Sequence, residues 1–282
     1  MNNVRATLIT ATQNLIKTSP TPRMDAELLL MHVLNVPRGW LYAHDDATLT
    51  DEQLQSFNQS LQQRQQGIPI AYLTGHKEFW SMDLLVNNYT LIPRPETELL
   101  VERTLEKLAN ISNAHILELG TGTGAISLAL AHEHPDWQID AADISMEALE
   151  LAKENAQRLK ITNVTFTHSD WFSAFPALHH YDVVISNPPY IRETDTHLRT
   201  EDIRFEPRQA LSSGKDGLDA IRHLIDQSPA YLRPNGWLLF EHGYDQTKDI
   251  HTLLKLHNYQ RIQHWKDING NDRVSGGQII PK

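Results

Sequence analysis

The first 75 residues carry apolar side chains at helical spacing. Within 4–17 these side chains recur every three or four positions, which predicts an amphipathic helix. A second helix is predicted to begin near Pro22, because proline is tolerated in the first turn of a helix. Thr50 is a suitable N-cap for a third helix over 51–66. We therefore expect a small all-helical domain at 1–75.

The pattern changes after that domain. Apolar and polar residues mix over 78–92 in a way that predicts a short hairpin, so we assign 76–93 to a hairpin linker. From residue 94 to 282, strand and helix patterns alternate, which is typical of an α/β domain with a mostly parallel sheet. The predicted strands are 115–119, 138–142, 164–167, 182–186 and 237–241. The predicted helices are 125–133, 146–159, 218–231 and 245–257, followed by two final strands joined at an Asn-Gly turn.

Composition excludes several classes of protein. The 282 residues include no cysteine, which excludes disulfide scaffolds, Cys-ligated zinc and thiol nucleophiles. The formal net charge of −10 opposes an extensive nucleic-acid interface, because binding to phosphates needs an excess of cations. The N-terminus has no apolar signal-peptide core, and no run of 18 apolar residues is present. We expect a cytoplasmic monomer that binds neither membrane nor metal.

A glycine-rich turn follows the first predicted strand of the α/β domain. The segment HILELGTGTGAISLAL runs from an apolar strand through glycines into a helix. Glycine lets the backbone approach a ligand closely, and the helix N-terminus offers N–H groups to an anion. Such turns also serve tight packing, so this motif alone leaves ligand binding and packing open.

Two further motifs follow the next two strands. Asp143 ends the second strand, where a carboxylate accepts both hydroxyls of a ribose. The alternative for Asp143 is an N-cap of the following helix. Asp170 and Trp171 follow the third strand, where an acid beside an aromatic ring suits an adenine. Trp171 is equally compatible with a core or lid position.

The segment Asn187-Pro188-Pro189-Tyr190 follows the fourth strand. Two prolines make the turn rigid and leave its carbonyl groups as acceptors, and Asn187 adds a side-chain carbonyl. Together these groups can accept two hydrogen bonds from an NH2 group, while Tyr190 supplies a wall for a flat group. Because parallel strands end at one edge of a sheet, we expect this segment beside the glycine-rich turn.

With these motifs in place, the chain resembles the class I S-adenosylmethionine-dependent methyltransferases that modify planar NH2 groups. Further segments resemble one branch, the HemK-type protein-glutamine N5-methyltransferases that act on peptide-chain release factors. These segments are EFWSMDLLV (78–86), IPRPETELL (92–100), FEPRQAL (205–211), GKDGL (214–218) and LLFEHG (238–243). Family members usually have Asp where this chain has Glu96, a departure that keeps the charge.

The resemblance implies a Rossmann-like catalytic domain and a role for each matched residue. It implies that Asp143 holds the ribose of S-adenosylmethionine, that Trp171 packs beside the adenine, and that Asn187 lies near the sulfonium. It also implies that Asn187 and Pro188 hold the substrate amide of a release-factor glutamine and that Tyr190 packs against the glutamine side chain. These three residues would be the catalytic ones, and Pro189 would complete the substrate-binding segment. The methionine part of the cofactor would be wrapped by Gly120, Thr121, Gly122, Thr123 and Gly124. Glu118 and Arg94 are candidates for supporting residues or for structural ion pairs.

Two rival functions stay open at this point. A nucleic-acid adenine-N6 methyltransferase would use the same Asn-Pro-Pro-Tyr segment, although the acidic composition and small helical domain disfavour it. A nicotinamide-dependent oxidoreductase, or a non-catalytic nucleoside-binding module, would explain the glycines and Asp143 but not Asn187. The helical domain is expected to recognise the protein substrate.

Two other features are interpreted as unrelated to the function. The His132-Glu133-His134 and His179-His180 clusters have no third metal ligand nearby in the sequence. The chain also contains Gly276-Gly277-Gln278, the tripeptide that release factors present for methylation. We expect it to lie in a final strand by coincidence.

Overall fold

The computed structural model describes residues 2–178, 180–199 and 202–280, and the chain forms two compact units. Unit 1 consists of Met1–His76 together with Arg199–Phe205. Unit 2 consists of Lys77–Leu198 and Glu206–Lys282. The sequence-based division into 1–75, 76–93 and 94–282 did not anticipate the short segment that joins unit 1 from within the second half of the chain.

Unit 1 is a small helical bundle around an apolar core. Its helices are α1 (Val4–Leu15), α2 (Pro22–Leu34), α3 (Arg38–Ala43), α4 (Asp51–Gln65) and α5 (Ile70–Thr74). Thr50 caps α4 as predicted, in a reciprocal arrangement with the side chain of Gln53. The core includes Leu8, Leu29, Leu30 and Phe57.

A buried arginine ties the distant segment into unit 1. Arg64 donates from Nε to Asp25 at 2.6 Å and from Nη1 to Asp202 at 2.7 Å. Because two carboxylates and the carbonyl of Ile68 surround it, the guanidinium is paired on several sides despite its burial.

Unit 2 begins within a hairpin, since the first hairpin residue, His76, is the last residue of 1–76, and it continues as an alternating α/β domain. Its strands are β1 (His76–Phe79), β2 (Met82–Leu85), β3 (His115–Leu119), β4 (Gln138–Asp143), β5 (Val164–His168), β6 (Tyr181–Ser186), β7 (Leu232–Glu241), β8 (Gln260–Lys266) and β9 (Asp272–Gln278). Its helices are α6 (Glu98–Leu108), preceded by a 3-10 turn at Pro95–Thr97, then α7 (Ala125–Glu133), α8 (Met146–Leu159), α9 (Asp219–Gln227) and α10 (Thr247–Leu256).

The seven-stranded sheet has the order β5-β4-β3-β6-β7-β9-β8. Strands β3 to β7 pair in parallel, and β9 runs antiparallel to both β7 and β8. The predicted α/β class is confirmed. Strand order reverses between β3 and β6, and ligands in open α/β sheets bind at such a point, outside the carboxyl ends of the strands.

Each face of the sheet carries its own apolar layer. Ile116 belongs to the cluster on one face, whereas Leu117 and Leu119 belong to the cluster on the other, as the two-residue period of a strand requires. Strand β3 therefore lies buried between two layers. This burial explains why Ile116, Leu117 and Leu119 are all apolar.

Among the predicted strands and helices of unit 2, two differ most in their bounds from those observed. The helix predicted over 218–231 ends at Gln227, and a 3-10 turn follows at Ser228–Ala230. Pro229 lacks the N–H that a continuing α-helix would use. Strand β7 begins at Leu232 instead of residue 237, with an irregular register where it pairs with the start of β6.

The Gly276-Gly277-Gln278 tripeptide lies inside the sheet, in β9. A Cβ on Gly276 would lie 2.4 Å from Leu239 Cδ2, so the packing itself requires a glycine there. Gln278 is buried and donates from Nε2 to the carbonyl of Asn235 at 2.7 Å. These contacts give the tripeptide a structural role.

Within the described part of the chain, no helix is both long enough and apolar enough to cross a membrane.

Candidate functional site

A cavity of about 280 Å³ opens at the carboxyl ends of β3, β4 and β6, entirely within unit 2. The loops that follow these strands supply most of its wall. Eight of the residues predicted from the sequence line this cavity: Gly120, Thr121, Gly122, Thr123, Asp143, Trp171, Asn187 and Pro189. Of the predicted cofactor- and substrate-binding residues, Gly124, Pro188 and Tyr190 are not among those that line it.

The glycine-rich turn presents bare backbone to the cavity. Gly120 and Gly122 have φ values of 75° and 55°, in the left-handed region that favours glycine. A Cβ at either position would meet no atom within 4 Å. The N–H groups of Gly120 and Thr121 donate to the carbonyl of Ala142 at 2.8 and 2.9 Å, which ties the turn to the end of β4.

Gly124 has a different role in the same turn. Its φ is 82°, and a Cβ there would lie 3.1 Å from Leu128 Cδ1 and 3.3 Å from the Cβ of Ala152. Gly124 therefore lets α7 and α8 pack closely. A direct role for it in holding a cofactor stays a prediction.

Asp143 is connected to the glycine-rich turn by hydrogen bonds. Its two carboxylate oxygens accept from the N–H of Gly122 at 2.8 Å and of Ser145 at 2.9 Å. Burial raises its pKa above the ordinary value. The N-cap alternative is not observed, because the Ser145 hydroxyl caps α8 by accepting from Ala148 N–H. Asp143 is thus a half-buried carboxylate at the cavity wall.

Glu118 is a second carboxyl group in this wall, and it is fully buried. Its Oε2 accepts from the Thr121 hydroxyl at 2.8 Å and from Ser127 N–H at 3.1 Å. Its Oε1 has no hydrogen-bond partner among the described residues. Burial raises the pKa of Glu118 to about 7. An unpaired buried acceptor costs free energy, so it marks a place where a donor from a ligand would be stabilising.

Trp171 lines the cavity and also packs against the apolar cluster behind it. Its φ of 49° is unusual for a bulky residue. The Ser169 hydroxyl holds this turn, donating to the carbonyl of Trp171 at 2.7 Å and accepting from Ala174 N–H at 3.0 Å. Asp170 beside it is exposed and lines the cavity. The core and ligand-facing interpretations of Trp171 are therefore compatible.

Asn187 lies at the end of β6 and reaches the cavity with its side chain half-buried. Its Nδ2 donates to Thr97 Oγ1 at 3.2 Å, and the Thr97 hydroxyl donates to Glu241 Oε2 at 2.7 Å. Tyr190 donates its hydroxyl to the other oxygen of Glu241 at 2.9 Å. Asn187 Oδ1 has no hydrogen-bond partner among the described residues. It is an available acceptor.

Burial governs the ionisation of Tyr190 and Glu241. It raises the pKa of the Tyr190 hydroxyl, which therefore stays protonated and keeps its donor. Burial also raises the pKa of Glu241, while hydrogen bonds from Thr97 and Tyr190 and the charge of Arg273 act in the opposite direction.

A third buried glutamate holds the rim of the cavity. Glu206 accepts from Ile92 N–H at 3.0 Å and forms an ion pair with Arg94, which itself lines the cavity. Of the two interpretations of Arg94, the ion pair is observed. Pro207 and Gln209, just after Glu206, also contribute to the wall.

Thr97, Glu206 and Glu241 were not singled out by sequence reasoning. Each lies in a segment that carried the family resemblance but had no assigned chemistry: IPRPETELL, FEPRQAL and LLFEHG. The only feature that could have identified them is a charged or hydroxyl residue inside an otherwise apolar segment.

Among the described residues, no group of three or more His, Asp or Glu side chains could hold a metal ion. His179 lies outside the described residues, and His180 contacts His115 with ring nitrogens 2.8 Å apart. His134 stacks on Trp137.

Two family models match the chain. Residues 7–75 match the PrmC N-terminal domain, and residues 95–214 match the methyltransferase small domain. The first match coincides with the helices of unit 1. The second covers the glycine-rich turn, Asp143 and the Asn187 segment.

Curated relatives extend the similarity over nearly the whole chain. The release factor glutamine methyltransferase of Vibrio cholerae is 47% identical over 276 residues, covering 98% of this chain and 96% of its own. The protein of the same name from Xylella fastidiosa is 46% identical over 256 residues, covering 91% and 93%.

Solved structures agree on the fold. A methyltransferase from Pyrococcus furiosus superposes with a TM-score of 0.51 at 16% identity, covering 71% of this chain and 90% of that one. A T. thermophilus 16S rRNA methyltransferase in complex with AdoMet and guanosine gives a TM-score of 0.54 at 17% identity, covering 72% and 49%. At these identities the similarity establishes the class I methyltransferase fold alone.

Proposed function

The chain belongs to the release factor glutamine methyltransferase family, and from this premise we propose its reaction. It transfers a methyl group from S-adenosylmethionine to the side-chain amide N5 of the glutamine in a release factor's Gly-Gly-Gln motif. The observation that carries this proposal is the available Asn187 acceptor in the wall of a cavity suited to a nucleoside.

The cavity fits the proposed cofactor in four respects. The bare backbone at Gly120 and Gly122 leaves room for a ligand to approach within contact distance. Asp143 offers a carboxylate for ribose hydroxyls, and Trp171 offers an aromatic wall for a base. Glu118 offers an unpaired buried acceptor, which suits the ammonium of an amino acid moiety. When bound, S-adenosylmethionine supplies an electrophilic methyl group on a sulfonium.

The substrate nitrogen presents the chemical difficulty, because an amide lone pair is shared with its carbonyl. The rotation barrier of a peptide amide, about 18–20 kcal/mol, indicates the size of this coupling. In our proposal Asn187 Oδ1 and a backbone carbonyl of the Pro188 turn accept the two N–H bonds of the substrate amide. These contacts direct the nitrogen lone pair toward the methyl group.

The same hydrogen bonds stabilise the transition state. As the substrate nitrogen gains positive charge, its N–H groups become stronger donors, so the acceptors contribute more in the transition state than in the ground state. Alignment of the two reactants contributes up to about 7–11 kcal/mol in well-oriented intramolecular reactions. The proton leaves afterwards to water, so the proposal needs no side-chain base.

The test is methyl transfer with labelled S-adenosylmethionine. Three acceptors are compared: an intact release factor, its Gln-to-Ala variant in the Gly-Gly-Gln motif, and unmethylated DNA. We expect label on the native factor alone. Equal label on the native factor and on its Gln-to-Ala variant, or label on the DNA, would show that the proposed substrate is wrong. Neither result would affect the assignment of the fold.

Unit 1 is proposed to recognise the body of the release factor. A full-length enzyme should then have a much higher kcat/KM for an intact factor than for a short peptide containing Gly-Gly-Gln. Deleting 1–75 should abolish this preference while leaving peptide methylation, which also serves as the folding control. A truncated enzyme that keeps the preference for the intact factor would refute the role.

A further inference from the structure

Two segments that lacked a chemical role meet beside Asn187, and Thr97 of one of them also lines the cavity. Thr97 ends the 3-10 turn at Pro95–Thr97, and Glu241 ends β7. The exposed fractions of the two residues are only 4% and 1%. Their hydrogen bonds form a continuous chain from Asn187 through Thr97 to Glu241, and from there to Tyr190.

When Glu241 is ionised, the donors and acceptors in this chain have only one consistent direction. An ionised carboxylate can only accept, and Glu241 accepts the hydroxyl protons of Thr97 and Tyr190 on different oxygens. Since the single Thr97 proton goes to Glu241, Thr97 Oγ1 can only accept from Asn187. Asn187 must therefore present its NH2 group to Thr97.

This direction determines which end of the Asn187 amide remains for a ligand. With Nδ2 engaged by Thr97, Oδ1 is the end that remains available. Turning the amide by 180° would place an NH2 group against the NH2 group of a substrate amide, donor against donor. The side chain of asparagine alone does not choose between these two orientations.

We propose that Thr97 and Glu241 are positioning residues for methyl transfer. They hold Asn187 with its oxygen directed to the substrate NH2 group, and Glu241 also holds the ring of Tyr190. The inference rests on the proposed function and adds two residues to its machinery. Burying a carboxylate is costly, so we infer that Glu241 serves orientation more than stability.

The primary test compares Thr97→Val with Thr97→Ser. Valine keeps the branched shape but removes the hydroxyl, whereas serine keeps the hydroxyl. With an intact release factor as substrate, we expect Thr97→Val to lower kcat about tenfold or more. The dissociation constant of S-adenosylmethionine, measured by calorimetry, should change less than about twofold. Thr97→Ser should recover most of kcat.

Thr104→Val is the matched control. Thr104 is also a buried threonine, but its hydroxyl donates to the carbonyl of Leu100 within its own helix, at 2.8 Å. We expect this variant to keep the wild-type kcat. If it loses as much activity as Thr97→Val, the effect is general destabilisation and the inference is wrong.

A double-mutant cycle separates orientation from structure. If Thr97 acts through Asn187, Thr97→Val should add almost no loss of kcat in the Asn187→Ala background. Additive losses would contradict the inference. Should Thr97→Val fail to fold, Glu241→Gln provides the same test. Thr97 and Tyr190 donate to different oxygens of Glu241, and in the variant an NH2 group replaces one of these two acceptors. Full kcat in Glu241→Gln would overturn the inference.

The outcomes also separate the inference from the proposed function. Absence of methyl transfer to the release factor by the wild-type enzyme overturns both. Wild-type methylation of the glutamine, with unchanged kcat in Thr97→Val and Glu241→Gln, overturns the positioning role alone.

Discussion

Two fully buried glutamates of unit 2, Glu118 and Glu241, differ in how their carboxylate oxygens are hydrogen-bonded. Glu118 accepts hydrogen bonds on Oε2, whereas its Oε1 has no partner among the described residues. Glu241 accepts from a different hydroxyl on each oxygen. Burial raises the pKa of both carboxyl groups.

This difference in hydrogen bonding distinguishes a carboxylate that binds a ligand from one that positions neighbouring side chains. A buried acceptor that the protein leaves unpaired is most stable when a ligand supplies the missing donor. A buried acceptor that the protein fully pairs acts on the groups that donate to it. We therefore assign Glu118 to the cofactor and Glu241 to the orientation of Asn187 and Tyr190.

We expect the largest change in kcat from a substitution of Asn187. Asn187→Ala removes the proposed acceptor and should lower kcat about a hundred- to a thousandfold, as the loss of one preorganised group does in other active sites. Affinity for S-adenosylmethionine should change little. Single-turnover kinetics and calorimetry measure the two quantities. Comparable losses of kcat and of cofactor affinity would contradict the assignment of Asn187 to the substrate and of Glu118 to the cofactor.

Glu118→Gln should have the opposite effect: it should weaken cofactor binding and leave kcat nearly unchanged. Its amide oxygen can still accept from Thr121 and Ser127, but an NH2 group would then occupy the position of Oε1. Loss of a charge-assisted hydrogen bond should weaken S-adenosylmethionine binding about ten- to a hundredfold. At saturating cofactor, kcat should remain near that of the wild type. A variant with unchanged cofactor affinity would show that Glu118 does not contact the ligand.

The pH dependence of binding sharpens the assignment of Glu118. Its pKa of about 7 in the cofactor-free protein means that most of the carboxyl groups are protonated at pH 6. If only the carboxylate binds the ammonium, affinity should fall about tenfold between pH 8 and pH 6, with proton release on binding below pH 7. Glu118→Gln is the control, since it lacks this titration. If cofactor affinity changes equally with pH in the wild type and in Glu118→Gln, the titrating group is not Glu118.

The smallest expected effect is on stability without cofactor. The folded-state pKa of Glu118 lies above its ordinary value of 4.5, so its contribution destabilises the fold increasingly as pH rises from about 4.5 to 7. Glu118→Gln should therefore melt a few degrees higher than the wild type at pH 8. The difference should shrink toward pH 5. Scanning calorimetry at both pH values measures it, and a constant difference would contradict the raised pKa.

The sheet was well predicted where strands are buried on both faces. The predicted bounds of β3 and α7 agree with those observed, because the apolar run, the glycines and the following helix pattern mark each boundary. The start of β7 was missed by five residues, since Arg233 and Pro234 do not look like strand residues. The segment Arg199–Phe205 joins unit 1 through contacts such as Arg64 with Asp202, which no local pattern reveals.

The candidate site was predicted where its residues follow parallel strands. Gly122, Asp143, Trp171 and Asn187 all line one cavity because parallel strands end at one edge. Thr97 was missed because it lies on a short turn far from Asn187 in the sequence. Its role depends on a contact that only the packed structure makes.

The fold class, the edge of the sheet that carries the cavity and the chemical groups available there could all be predicted from the sequence alone. Periodicity and turn residues are local properties, so they can be read along the chain. Only the tertiary structure shows which acceptors are paired. Both oxygens of Glu241 accept hydrogen bonds, from Thr97 and Tyr190, whereas Oε1 of Glu118 has no partner among the described residues. Pairing depends on distances of about 3 Å between residues remote in sequence, and only packing sets such distances.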